Sequence, residues 1–330
     1  MAKLDFIVDV IAESPAVSRD GFGTLLILDD KHEIPFTKVE TLSELEELAV
    51  EQDSELYKLV AGIFSGSVRP KQVAVFGKES EGGLADAFNE VMKSENDFFY
   101  VVGTDNSAAP VLATAVTEYD KMYFVTVKTV EEVEAINEAV GEVNNEKVVV
   151  AVHEEGKVAE QLAGKFAASL PGETIAKFQT LAGINAKALS NEEQKKIHDA
   201  NALGYKREKK RNFVSNNKTL SGQYIDVVIG KYYIKTELEE DALELAVKKS
   251  NEGKKIAYTN QGIAELVGIT DLVMNSAVGS GLLLDYSIEY LDREEVSKED
   301  RANRHYDGIV ATGNLAGAIE SGKFTIKLVI

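Results

Sequence analysis

The chain has 330 residues, of which 44% are hydrophobic, and its formal net charge at pH 7 is −19. A length above about 250–300 residues outgrows a single core and predicts two domains. With no cysteine there is no disulfide, thiolate metal site or cysteine nucleophile; the acidic balance argues against general nucleic-acid binding, and no apolar run reaches the roughly 20 residues that span a bilayer.

In chain order, the first pattern is strict alternation. Leu4, Phe6, Val8 and Val10 fall at every second position, with Asp5 and Asp9 on the opposite face. That is the period of a half-buried strand. The same aspartates do not suit the cationic start of a signal peptide, so none is expected. Residues 13–23 then read as a hinge, with Pro15, Gly21 and Gly23 as its turn formers. Strands are predicted at residues 23–28, 72–76, 98–102, 122–127 and 147–152. These runs are short, β-branched or aromatic, and apolar on both faces, as central strands covered by helices require. Between them apolar residues recur at helical spacing: Leu56, Leu59, Val60, Ile63 and Phe64; Leu84, Phe88, Val91 and Met92; Val133, Ile136, Val140 and Val143. A further helix at 156–169 is halted by Pro171-Gly172. Alternation of this kind implies an α/β layer architecture.

All five prolines lie at or before position 171, and the composition shifts there. A helix is predicted at 190–202, opened by Ser190 with Glu193 three residues on, a capping-box pattern. Next come Lys206, Arg207, Glu208, Lys209, Lys210 and Arg211, five cations in six residues. Strands are expected near 213–216 and 223–229, helices at 236–250 and 260–276, and further strands at 284–291 and 307–312. The charged stretch 292–304 reads as an exposed loop or short helix. The chain ends as it begins: Phe324, Ile326, Leu328 and Ile330 alternate with Lys323 and Lys327 on the other face. An apolar terminal strand left as an open edge recruits another chain through its unpaired amides. Both ends therefore close one sheet within the molecule or pair with neighbours. The expected fold class is α/β (α+β overall): two layered α/β domains with extended β-strand arms at both termini. The expected divisions are an arm and hinge at 1–20, an α/β domain at 21–170, a C-terminal domain at 171–318 and an arm at 319–330.

Motifs for chemistry are sparse. Gly21-Phe22-Gly23 precedes a strand rather than following one and lacks the third glycine of a dinucleotide fingerprint; there is no Walker A sequence. Gly103-Thr104-Asp105-Asn106-Ser107 joins a strand to a helix, where an anion can bind, or where Asn106 or Ser107 simply caps the helix. His32, His153, His198 and His305 are far apart and none has an i+4 histidine partner, so surface or structural roles are expected. Gly279-Ser280-Gly281 lacks the spacing of a nucleophile elbow. Glu237-Leu238-Glu239-Glu240-Asp241 opens a helix, where negative charge complements the dipole. Asp292-Arg293-Glu294-Glu295 lacks the ligand spacing of a calcium loop. No catalytic residue, metal ligand or cofactor is assigned. The basic stretch is either a solvated face or a patch for an acidic partner.

The second half resembles contractile-tail sheath proteins of bacteriophages and phage-tail-like bacteriocins. The resemblance runs through Pro171-Gly172-Glu173-Thr174, Thr180-Leu181-Ala182-Gly183, Thr219-Leu220-Ser221-Gly222-Gln223-Tyr224-Ile225-Asp226, Tyr258-Thr259-Asn260-Gln261-Gly262-Ile263, and Ala316-Gly317-Ala318-Ile319 with the last strand. Order and spacing match from 171 onward, about half the chain. One departure is that Tyr232-Tyr233 stands where a tryptophan is often found, which bears on the subfamily and not on the class. The resemblance implies a structural, non-enzymatic subunit without cofactor or metal. It implies stacking as hexameric rings around an inner tube, contraction when a baseplate releases the sheath, and β-augmentation by both chain ends. The implied partners are further copies, the inner tail tube protein, and baseplate and tail terminator proteins, with neither nucleic acid nor membrane insertion. The implied location is a virion tail or tail-like particle assembled in the bacterial host cytoplasm. Arm contacts are then expected from Leu4, Asp5, Phe6, Val8, Asp9, Val10, Lys323, Phe324, Ile326, Lys327, Leu328 and Ile330, and tube contact from Lys206, Arg207, Lys209, Lys210 and Arg211. Two alternatives stand beside it: an α/β enzyme holding a phosphorylated ligand at residues 103–107, and another structural virion protein such as a tube or capsid component.

Overall fold

The computed structural model describes residues 22–94, 97–323 and 325–326. The predicted strand at 4–10, the hinge residues Pro15 and Gly21, and Phe324, Lys327, Leu328 and Ile330 of the second arm lie outside the described residues. In chain order the elements are β1 (Leu25–Asp29), β2 (Ile34–Val39), α1 (Leu42–Glu47), α2 (Glu55–Phe64), β3 (Val73–Gly77), α3 (Gly83–Val91), β4 (Tyr100–Gly103), α4 (Ala109–Thr117), β5 (Met122–Val127), α5 (Val130–Val140), a 3-10 turn (Asn145–Lys147), β6 (Val148–Val152), α6 (Val158–Ala167), α7 (Asn191–Asp199), β7 (Leu203–Glu208), β8 (Arg211–Val214), α8 (Ile225–Asn251), α9 (Asn260–Gly279), β9 (Leu283–Tyr290), α10 (Lys298–Asn303) and β10 (Ile309–Leu315).

Eight strands form one sheet in the order β2-β3-β1-β4-β5-β6-β7-β8. The six central strands run parallel, and β2 and β8 pair antiparallel at the edges. Both faces are covered, which explains why the central strands are apolar throughout. Leu25 and Ile27 point into one cluster with residues of α2, α6 and the start of α8. Leu26 and Leu28 point into the other, with residues of α3, α4, α5 and α7. The sheet continues through position 170/171, where a boundary between domains was expected, because β7 and β8 complete it.

Several expectations need correction. The strand expected at 223–229 is not formed: α8 begins at Ile225, after Tyr224 makes an isolated bridge with Lys218. Ile225, Val228, Ile229, Tyr232 and Tyr233 are buried at i, i+3, i+4, i+7 and i+8, and this helical spacing overrides the β-branched look of Val-Val-Ile. Val143 does not extend the α5 stripe: α5 stops at Val140, Gly141 turns the chain with φ 73°, and Val143 is exposed. β2, α1 and β7 have no counterpart in the predicted elements. Pro35 obscured β2, yet proline is tolerated there because β2 is an edge. Gly23 lies in a turn directly after Phe22, whose buried ring stacks on Phe99 at 4.1 Å, so the chain is already pinned where a hinge was expected.

Beyond the sheet, α8, α9 and the antiparallel pair β9–β10 make a smaller unit. Its own core is slight: Met274, Ala277, Leu282 and Leu283. α8 buries residues only as far as Tyr233 and then runs on to Asn251. Gly172 joins this unit to the body. Its φ is +98°, and a Cβ there would lie 2.5 Å from the backbone nitrogen of Leu282. Gly172→Ala is expected to destabilise the fold by about 2–3 kcal/mol, combining left-handed strain with a backbone clash, seen as a lower urea midpoint; an unchanged midpoint would refute that close seat.

Candidate functional site

The β1–β4 junction is where strand order reverses, the usual ligand position in open α/β sheets. A cavity of about 640 Å³ opens there, lined by strand ends and the loops after them. Most of its polar groups are committed to one another; Asp30 Oδ1 and Asn106 Oδ1, both acceptors, are buried without a hydrogen-bond partner. Buried Asp29 accepts hydrogen bonds from the backbone N–H of Lys31 (3.1 Å) and His32 (2.9 Å) and from Thr104 Oγ1 (2.9 Å), and its Oδ2 lies 2.6 Å from His32 Nδ1. Glu160 is fully buried. It accepts from Thr126 N (3.0 Å), Thr126 Oγ1 (2.5 Å) and Asn106 Nδ2 (2.7 Å). Lys157 Nζ sits 3.9 Å from Glu160 and donates to the Thr104 carbonyl at 3.0 Å. Asp105 takes the Ser107 amide (2.9 Å) and hydroxyl (2.8 Å); the Ser107 amide is the main reason its carboxyl is held below the usual range.

That arrangement disfavours a phosphorylated ligand at residues 103–107. The donors that would bind phosphate already hold carboxylates of the chain, and Asp29, Asp30, Glu55, Asp105, Glu132, Glu154 and Glu155 line the cavity. Asn106 and Ser107, expected as possible caps, do not cap α4, which starts after Ala108 without a side-chain cap. The histidines make local bonds. His153 accepts the Gly156 N–H at Nδ1 (2.7 Å), so its proton is on Nε2 and is donated to the Asn185 carbonyl (2.9 Å). His198 Nε2 meets Ser215 Oγ at 2.9 Å. Among the described residues no group of three or more His, Cys, Asp or Glu is placed to hold a metal ion.

The basic stretch forms the β7–β8 hairpin. Glu208 pairs with Arg211 in register, leaving Lys209 and Lys210 as a two-residue turn with φ 46° and 66°. The structure brings Arg207, Lys209, Lys210 and Arg211 together, exposed at the tip. Lys206 departs from them: its side chain is only 13% exposed, pairs with Glu208 at 2.9 Å and donates to Gln194 Oε1 at 3.1 Å. The outer edge of β8 is covered by residues 178–180, through Phe178 N to Val214 O (2.9 Å) and Val214 N to Gln179 O (3.0 Å).

Both edges of the large sheet are thus protected, by Pro35 on β2 and by residues 178–180 on β8. The β9–β10 sheet differs: it has two strands, and among the described residues no strand pairs with either outer edge. One face, with Ile309 and Gly313, lies over an apolar groove shared with Ile234 and Leu238 of α8 and Leu266 and Ile269 of α9. On the same helices and strands Leu243, Val247, Leu272, Leu284, Val310 and Leu315 are exposed. So many exposed large apolar side chains on a unit with so small a core set it apart from the large sheet, whose faces are covered. Of the predicted arm residues, Lys323 and Ile326 are described, and both are exposed.

An ionic clasp ties α8 to the body. Glu146 accepts from Lys231 Nζ (2.6 Å), Tyr232 Oη (3.0 Å) and Gln223 Nε2 (3.2 Å). Asp120 pairs with Lys235, and with Lys147 at 3.7 Å. The sequence carried no signal for this clasp, since Lys231 lies 85 residues from Glu146 and Lys235 lies 115 from Asp120. Burial pushes both carboxyls up, but the lysines and their hydrogen bonds outweigh it, and both end below the usual range. A carboxylate lowered on folding stabilises above its unfolded pKa and ceases to as pH falls through the folded one. The clasp should therefore hold at neutral pH and fail below about pH 4. Lys231 and Lys235 are 56% and 48% exposed, so screening limits each pair to about 0.5–1 kcal/mol. The double variant Lys231→Met, Lys235→Met is expected to melt a few degrees lower at neutral pH and to converge with the parent in acid; curves parallel across pH would count against the clasp.

Comparison with solved structures places this architecture. A chain in the cryo-EM structure of the anti-feeding prophage baseplate is similar over 100% of this chain and 99% of its own, with a TM-score of 0.69 at 12% identity. The cryo-EM structure of the PVC sheath complex of an extracellular contractile injection system, in the contracted state, covers 100% and 98% with a TM-score of 0.67 at 11% identity. The crystal structure of a sheath tail protein from Listeria innocua covers 92% and 97% with a TM-score of 0.60 at 9% identity. The chain has the fold of contractile-tail sheath proteins. The sheath fold extends over the first half as well, where the sequence resemblance did not reach. No protein-family model matches the sequence, and no curated protein does.

Proposed function

We propose that the chain is a structural sheath subunit that polymerises as stacked hexameric rings around an inner tube and contracts to drive the tube through a target cell envelope. The observation that carries this reading is the β9–β10 pair, the one sheet among the described residues whose edges are left uncovered. The two terminal arms supply what it lacks. Residues 4–10 and 323–330 of neighbouring copies add as strands, with backbone hydrogen bonds holding each arm and alternate side chains fixing its register. If the arms lie side by side, Asp5 and Asp9 face Lys323 and Lys327. Pro15 and Gly21 are proposed as the hinge, leading to Phe22, the first described residue of the core. Contacts of this heterologous, non-closing kind build a helical tube.

Arg207, Lys209, Lys210 and Arg211 are proposed to meet the tube, with Lys206 as their support rather than a contact. Baseplate and tail terminator proteins complete the partners, and assembly takes place in the host cytoplasm, as part of a phage tail or a bacteriocin-like particle. No enzymatic step is needed, since the work is stored in subunit packing; the carboxylate-rich crevice at residues 103–107, whose unpartnered buried atoms are acceptors that would repel a phosphate, supports this over the enzyme alternative. Negative-stain electron microscopy of the expressed protein is the test. Wide hollow helical tubes are the expected result. Narrow tubes or closed shells would point to a tube or capsid component, and dispersed particles at high concentration would reject the assembly altogether.

A further inference from the structure

Three non-glycine residues in the left-handed region of backbone space meet at one place: Phe178 at φ 69°, Lys209 at 46° and Lys210 at 66°. That region crowds any residue with a Cβ. A two-residue hairpin turn of this shape is unstrained with Asn-Gly; here it carries two lysines. Such strain persists only where the surroundings impose it, and sites where it is stored are candidates for function.

Chemistry converges on the same spot. Phe178 is 51% exposed, although its N–H is tied to the Val214 carbonyl at 2.9 Å. Its ring lies 5.7 Å from that of Phe213. Lys177 Nζ lies 5.3 Å from the Phe178 ring, and Lys206 Nζ 5.2 Å from the Phe213 ring, so cations flank an aromatic pair. Beside them stand Lys209, Lys210 and Arg211, exposed and without a carboxylate partner among the described residues, while the neighbouring Glu208 is held by Lys206. A shallow groove runs between Phe178 and the hairpin.

We propose that this groove docks an acidic protein segment carrying an aromatic side chain. Carboxylates of the segment pair with Lys209, Lys210 and Arg211, and its ring stacks on Phe178. Exposed aromatics beside arginine are the composition of interface anchors. A nucleic acid fits less well: three cations neutralise a short stretch of phosphates, and a longer strand would run onto a protein of net charge −19. The proposal rests on the sheath reading only in treating the hairpin as partner-facing, and it adds Phe178 as the residue that sets specificity.

Fluorescence anisotropy with the full chain tests it, using three labelled probes of matched length: polyglutamate, a random glutamate–tyrosine copolymer, and oligothymidylate. The copolymer is expected to bind about 3- to 10-fold tighter than polyglutamate, the increment of one aromatic contact. Phe178→Ala should erase that increment and leave polyglutamate binding unchanged. The double variant Lys209→Asn, Lys210→Gly should melt a few degrees higher, because it suits the turn, and should bind both polypeptides more weakly. Equal affinity for the two polypeptides, insensitivity to Phe178→Ala, or oligothymidylate binding as tight as the copolymer would overturn the proposal. Electron microscopy separates this from the sheath reading: tubes that form while the copolymer fails to bind leave that reading standing, and copolymer binding without tubes removes it and keeps the groove.

Discussion

A chain lacking residues 1–12 is expected to remain folded and to form no tubes. Among the described residues the core begins at Phe22, and both clusters that sandwich the sheet are built from there onward. The described residues of those clusters all lie from 22 onward, so the melting temperature of the monomer is expected to move little, within the ±0.5 kcal/mol of ordinary surface changes. Assembly should fail completely, because the β9–β10 edges of each copy lose the strand proposed to cover them. Sedimentation velocity and electron microscopy on the same sample read both outcomes. Normal tubes from the truncated chain would reject the arm model. A finer test reverses charge: Asp5→Lys with Asp9→Lys should weaken assembly, and adding Lys323→Asp with Lys327→Asp should restore it if the arms are neighbours. Each cross-strand pair is worth only about 0.2–1 kcal/mol, but a polymer repeats it in every subunit.

Glu160→Ala is the second large effect. The carboxylate takes three donors in a fully buried site: Thr126 N, Thr126 Oγ1 and Asn106 Nδ2. Alanine strands all three without water to replace it, at about 1–3 kcal/mol for each unsatisfied buried group. Partial relaxation brings the expected loss to about 3–5 kcal/mol, visible as a lower urea midpoint. Glu160→Gln keeps the shape and one carbonyl acceptor and should lose about 1–2 kcal/mol. The pair of variants distinguishes a structural network from a ligand site, since a group kept to bind a ligand would cost little folding stability when removed. A Glu160→Ala midpoint within error of the parent would show that the crevice is not an internal brace.

How far sequence reasoning reached depended on how local the cause was. β1, β3, β5 and β6 were legible because each is a short run apolar on both faces, and only a strand buried on both faces requires that. The helix at 191–199 was legible from Ser190 and Glu193, whose reciprocal bonds form within four residues. β2 escaped because Pro35, Thr37 and Lys38 show no alternation, and β7 because Lys206 and Arg207 were read as a charge run. α8 was started too late, since Val227, Val228 and Ile229 suit a strand until Tyr232 and Tyr233 are seen on the same helical face. The candidate surfaces divide in the same way: the basic stretch was visible, but not that Lys206 turns away from it or that Phe178 sits across from it.

Composition and periodicity alone were enough for an acidic, cysteine-free α/β chain with alternating patterns at both ends, because those properties reside in single residues and their near neighbours. The order of the eight strands, the sheet that runs through residue 171, the crevice closed by its own carboxylates, and the clasp from Asp120 and Glu146 to α8 required the folded chain. Each depends on groups tens to more than a hundred residues apart, and their meeting is set by how whole elements stack. No local preference records that stacking.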